Sequence, residues 1–158
     1  AKPMVIAFCP MVRSSTGLRK DTLVNIVRER EFVLNFCTEA NHEKVNLTSS
    51  ELPYGEDEFK FAGLTPLAAE LVRANRMAES PIHFECRLRD VLHYGAGAGA
   101  GSLVTGEVVR VHVDPAVLEG GKIVTSRFKP VGRGAGNDWF KTDSVFELQR
   151  LMGSQIQR

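Results

Sequence analysis

The chain has 158 residues, enough for one domain with a substantial core and too few for two comfortable ones. Hydrophobic residues make up 43% and charged residues 25%, and the formal net charge is +1. That balance excludes a large positive field for nucleic acid, and no apolar run reaches the roughly 20 residues of a membrane helix. Three cysteines, Cys9, Cys37 and Cys86, are odd in number and widely spaced, which argues against a disulfide framework and for a reducing cytoplasm. They are expected to be buried thiols that pack as small hydrophobes. The chain opens on Ala1-Lys2-Pro3 and enters an apolar run at once, so residues upstream are expected to be missing.

Met4 to Cys9 is a continuous apolar run closed by Pro10, predicted as a buried strand. Met11 to Lys20 reads as a loop, with Asp21 as N-cap of a helix carrying Leu23, Ile26 and Val27 and ending near Arg30. Phe32 to Cys37 is a second predicted buried strand. A short helix falls within Glu39 to Ser50, and Leu52 to Gly63 is expected to be loop with Phe59 and Phe61 anchored in the core. Pro66 to Glu79 stays open between helix and extended chain.

Ile82, Phe84, Cys86 and Leu88 alternate with His83, Glu85, Arg87 and Arg89, the pattern of a half-buried strand with the latter set outside. The alternation slips at Asp90-Val91-Leu92, as at a bulge. Leu103 to Val113 is the next strand, with Val109, Val111 and Val113 expected inside and Arg110 and His112 outside. The Gly95 to Gly101 run between them is the expected flexible tip of a long hairpin. Its glycines alternate strictly and a strand follows, so it is not a dinucleotide fingerprint. Asp114-Pro115 opens a helical turn that Gly120-Gly121 closes, and Pro130 to Gly136 is a glycine-rich loop before Trp139. Many hairpin-joined strands with few helices predict a barrel or sandwich. His42, His83, His93 and His112 show no metal-ligand spacing.

Arg13-Ser14-Ser15-Thr16 and Arg19-Lys20-Asp21-Thr22 lie between a strand and a helix, where backbone N–H groups and the helix dipole favour an anion. On spacing alone a phosphate site and a solvated loop with Asp21 as a simple cap weigh evenly.

The run Lys20-Asp21-Thr22-Leu23-Val24-Asn25-Ile26 resembles the K-D-T-L-x-N-I segment of flavin-reductase-like, FMN-binding split-barrel proteins, the group of flavoredoxin and of component B of nitrilotriacetate monooxygenase. Further pieces match in order: Glu31 to Asn35, Asn46 to Ser49, Asp57 to Thr65, Ala78 to Pro81, Glu85 to Leu88 and Pro130 to Arg133. The resemblance implies a mostly β, antiparallel Greek-key split barrel spanning 1–158 as one domain that lacks its first N-terminal strands. It further implies a cytoplasmic homodimer that binds FMN and passes electrons from NADH or NADPH to a flavin or other acceptor, with a flavin-dependent monooxygenase as partner. A non-catalytic FMN-binding electron carrier on the same barrel is the alternative.

By the same resemblance Lys20 and Thr22 hold the flavin phosphate and Asp21 organises the turn, with Arg13 and Arg19 as secondary phosphate candidates. Phe8 and Cys9 line the ring. Arg133 and Trp139 close over the nicotinamide or ring, from the same chain or from a partner subunit. Core or dimer packing is the competing reading for Trp139. The late loop, Arg133-Gly134-Ala135-Gly136 and then Trp139, departs from the family's R-x-G-G followed by Tyr.

Overall fold

A computed structural model describes residues 2–142 and 144–149. Its centre is the long antiparallel hairpin that the two alternating segments predict: β5 (Ile82–Tyr94) and β6 (Gly101–Val113), each of 13 residues. β1 (Val5–Phe8) adds to the outer edge of β6 and β2 (Glu31–Asn35) to that of β5, giving a four-stranded sheet in the order β1-β6-β5-β2. Both flanking strands are therefore edges, and neither is the fully buried strand that its apolar run suggests. Val5 is 45% exposed, and Cys9 just beyond β1 is exposed rather than buried.

α1 (Asp21–Glu29) lies across one face of the sheet. Leu23 and Ile26, one helical turn apart, are sealed against Phe32, Cys86, Leu88 and Val104. Burial pushes the Cys86 thiol up to about 12, so it stays protonated at neutral pH. Gly106 sits under this core because nothing larger fits: a Cβ there would lie 2.5 Å from Cζ of Phe32, a ring already packed edge-on against Phe8 at 5.5 Å. Gly106→Ala is expected to lower stability by about 1–3 kcal/mol through overpacking, read by urea denaturation.

The other face is covered by the segment that the sequence left open. Pro66 to Glu79 is extended and irregular, with only two short paired strands, β3 (Pro66–Leu67) and β4 (Arg76–Met77). Side chains of the sheet fasten it. Glu85 accepts from the N–H of Glu70 and Leu71, Glu31 from the N–H of Arg73, and Asn35 from the N–H of Met77. This cover corrects the expected outside set of β5: His83 is 6% exposed and Glu85 0%.

Two bulges bend the hairpin. One is the slip expected near Asp90, where Arg89 is the extra residue between the pairs Leu88–Gly106 and Asp90–Thr105. The other is on β6, where Val109 is the extra residue between the pairs Cys86–Val108 and Glu85–Arg110. The second bulge inverts the phase of β6, so Arg110 and His112 stand opposite Glu85 and His83. Val111, expected inside, is 41% exposed.

The remaining pieces are short. α2 (His42–Leu47) falls where a helix is expected. α3 (Glu58–Ala62) occupies part of the expected loop because Asp57 caps it, accepting from the N–H groups of Phe59 and Lys60. Phe59 packs with Ala62, Leu64 and Met77, but Phe61 is 51% exposed rather than anchored. Gly120-Gly121 turns a small hairpin, β7 (Leu118–Glu119) with β8 (Lys122–Ile123), instead of ending a helix. α4 (Thr125–Phe128), which no sequence signal marks, leads to a last hairpin, β9 (Val131–Arg133) with β10 (Trp139–Lys141). The fold is mostly strand with few helices, and among the described residues its sheets do not close into a complete barrel. No helix among them is long and apolar enough to cross a membrane.

Candidate functional site

The loop between β1 and α1 folds back on itself. Val12 bridges Arg19, and Gly17, in the left-handed region at φ 69°, donates its N–H to the Arg13 carbonyl. The Val12 N–H also bonds the Ala100 carbonyl at 2.7 Å, so the glycine–alanine tip is tied to this loop on one side rather than free along its whole length. The turn delivers Lys20 to the start of α1. Lys20, not Asp21, is the N-cap residue, and no side chain caps the helix. The Asp21 carboxylate turns instead to Arg13, 3.1 Å from its guanidinium.

The consequence is electrostatic. A helix start without a side-chain cap keeps its orphan N–H groups and its positive dipole end available to an anion. Lys20 and Thr22 are both exposed beside it, and Arg19 is exposed next in line. Asp21, the carboxylate in the first turn, is paired with Arg13, and Glu58 lies near the same charges. Asp57 caps α3 and Asp114 the Pro115–Val117 turn through their side chains, whereas α2 and α4, like α1, have no side-chain cap.

Asp21 and Thr22 also line a cleft of about 950 Å³ between α1, β2 and the 54–59 segment, and Phe8 closes one wall. Cavities that hold cofactors and drug-sized ligands span about 300–1,000 Å³. Tyr54, whose hydroxyl accepts from Arg28, and Glu58 stand on the opposite wall. Desolvation and the nearby Asp21 carboxylate push the Glu58 carboxyl up from its ordinary value. Thr48, within the Asn46 to Ser49 piece, lines the same cleft.

Of the residues singled out in the sequence, Phe8, Arg13, Arg19, Lys20, Asp21 and Thr22 come together at this end of the sheet, with exposed Cys9 next to Phe8. Arg133 and Trp139 do not. The Arg133 guanidinium lies over the Trp139 ring at 5.9 Å, and Trp139 meets His42 edge-on at 6.4 Å. Their hairpin is bonded to Cys37 and Glu39 beyond the far end of β2, near the base of the β5–β6 hairpin. The hairpin's 13-residue strands, at about 3.3 Å per residue, make the sheet ~40 Å long.

The sequence reading missed a second polar group. Glu85, fully buried, accepts from two backbone N–H groups and from Nε2 of His112 at 2.5 Å. Beside it His83 bonds the Met77 carbonyl through Nε2 at 2.8 Å, and its Nδ1 has no partner among the described residues. A Glu and a His on neighbouring strands were visible, but the bulge that turns them toward each other was not.

Known proteins resemble this chain in sequence and fold. The model of the flavin reductase like domain matches residues 1–131. An uncharacterized protein of Halalkalibacterium halodurans is 37% identical over 145 residues, 90% of this chain and 69% of its own length. The crystal structure of nitrilotriacetate monooxygenase component B from Bacillus cereus superposes with a TM-score of 0.85 at 33% identity, over 92% of this chain and 72% of that one. The flavoredoxin of Desulfovibrio vulgaris shares the fold, with a TM-score of 0.76 at 22% identity. With the ordered strands, the α1 turn and the family match in agreement, the chain belongs to the flavin reductase like domain family.

Proposed function

We propose that the protein binds FMN and passes electrons through it from NADH or NADPH to a flavin or another acceptor. The observation that carries this reading is the α1 start without a side-chain cap, with Lys20 at the cap position and Thr22 opening onto a cleft of cofactor size. The residues fit the group. Lys20 supplies a positive charge to the phosphate, Thr22 a hydroxyl, and the first-turn N–H groups their dipoles. Asp21, neutralised by Arg13, shapes the turn without repelling the anion. Arg19 adds a second exposed cation, and Phe8 and Cys9 stand where the ring system enters along the end of β1.

FMN, when bound, supplies hydride and electron transfer, while the protein provides orientation, access and electrostatics. No side chain is assigned a catalytic proton. Arg133 and Trp139 sit at the other end of the sheet, so they reach a ligand at α1 only from a second copy, which favours a homodimer. The likeness to a monooxygenase component B supports a flavin-dependent monooxygenase as the electron-accepting partner, and the three free cysteines fit a cytoplasmic location.

The test is to add FMN to the purified protein and mix the complex with NADH or NADPH in a stopped-flow spectrometer. A yellow complex bleached rapidly by one nicotinamide is the expected result. Bleaching only by dithionite or a protein partner would mark an electron carrier instead, and absence of any FMN binding would overturn the reading.

A further inference from the structure

The face of the sheet away from α1 carries a second cleft of about 490 Å³, unrelated to the α1 turn. Two of its lining residues, Glu70 and His112, are anchored by the buried Glu85. This carboxylate, out of solvent altogether, is held below its ordinary range: burial pushes it up, and the Glu70 N–H, the His112 ring and the Leu71 N–H together outweigh that. An ionised Glu85 accepts from the Nε2–H of His112, which orients the ring and turns Nδ1 to the cleft side, where it donates to an oxyanion only from the doubly protonated ring. There Nδ1 is 3.8 Å from Oε1 of Glu70, and the same Glu70 carboxylate lies 3.2 Å from the Arg110 guanidinium. One carboxylate thus bridges a cation and an oriented imidazole. The ring is held by a buried anchor, whereas the carboxylate belongs to a side chain that is 52% exposed on an irregular segment.

We propose that Arg110 and His112 form a binding site for a small oxyanion, a carboxylate or a phosphate monoester, and that the Glu70 side chain occupies it in the ligand-free chain. The incoming anion takes the place of the Glu70 carboxylate, between the Arg110 guanidinium and the Nδ1–H of the imidazolium form of His112, and Glu70 swings to solvent. Arg76, on the wall of the same cleft, is held to the Ala68 carbonyl by Nε and Nη2 and adds positive potential. Asp114, also on the wall, spends one carboxylate oxygen on the Ala116 N–H and limits the charge that the site accepts.

The experiment follows the His112 imidazole by ¹⁵N NMR in the full chain while acetate or methyl phosphate is added. Saturable shifts of the His112 nitrogens are expected with at least one probe, and which probe binds tighter separates a carboxylate from a phosphate ligand. Glu70→Gln removes the internal competitor and is expected to tighten the preferred probe by about fivefold, the most that one exposed ion pair returns. Arg110→Gln is expected to abolish saturation. Both substitutions are on half-exposed side chains and leave Glu85 paired. His112 is left unaltered, because removing it strands a buried carboxylate. No saturable shift with either probe in both the unaltered chain and Glu70→Gln, or equal binding in Arg110→Gln, would overturn the proposal and leave a purely structural ion pair.

Discussion

Glu85→Ala is expected to be among the most damaging single substitutions in the chain, lowering stability by about 3–5 kcal/mol, because it removes the buried acceptor shared by three part-buried donors. The N–H groups of Glu70 and Leu71 and Nε2 of His112 all converge on this carboxylate, and the Pro66–Glu79 cover loses its central fastening. For a domain of this size the loss corresponds to a fall in Tm of about 10 °C. Glu85→Gln, which keeps an acceptor oxygen, should lose less. A change below about 1 kcal/mol in Glu85→Ala would show that the cover is held by packing alone.

The same carboxylate shapes the acid limb of stability. Glu85 is held below its ordinary value of 4.5 in the fold, as are Glu31, by the N–H and guanidinium of Arg73, and Glu79, where burial is outweighed by the N–H and hydroxyl of Thr65. Between the folded and unfolded values the unfolded chain binds more protons, so stability rises with pH there. The contribution is fully present above that value and is lost as pH falls below it. His83, pushed down by burial from 6.5, acts in the same direction and begins the loss at milder acidity. Urea midpoints measured from pH 7 down to pH 3 are expected to fall steadily, and the fall should be shallower in Glu85→Gln.

The second large effect concerns FMN. Lys20→Ala is expected to weaken FMN binding by about 10–100-fold, the weight of a charge-assisted hydrogen bond to phosphate. Thr22→Ala should weaken it by about fivefold, as for a neutral donor. Both side chains are exposed, so melting temperatures should stay unchanged. Lys122→Ala, on the β7–β8 hairpin, is the control for general loss of positive charge. Fluorescence titration of FMN measures all three. Equal affinities in Lys20→Ala, Thr22→Ala and the unaltered chain would move the phosphate away from α1.

Much of this protein was legible in its order of residues. Period-two alternation marked β5 and β6, because a side chain on a strand has only two faces to choose from. The Leu23–Ile26 spacing marked α1, and the motif from Lys20 to Ile26 placed the candidate phosphate turn. What the sequence could not show was which faces would be covered. Apolar runs at β1 and β2 looked buried, yet their place at the sheet edges leaves one side open, since strand order is set by pairing across the chain and not along it. Asp21 looked like a cap until the fold brought Arg13 to it.

The Glu85–His112 pair depended on tertiary structure more than any other feature. In sequence both residues fall on the outer phase of their strands. The Pro66–Glu79 segment, which has no clear periodicity, folds over that phase and removes it from water. Val109 then enters the ladder as one extra residue and rotates Arg110 and His112 onto the covered face. Local patterning alone marked the long strands and the helix, because side-chain periodicity is a local property, while the candidate phosphate turn was placed by the family resemblance. The buried carboxylate and the cleft above it were decided by pairing register and by a covering segment some 15 residues distant in the chain, which no local pattern encodes.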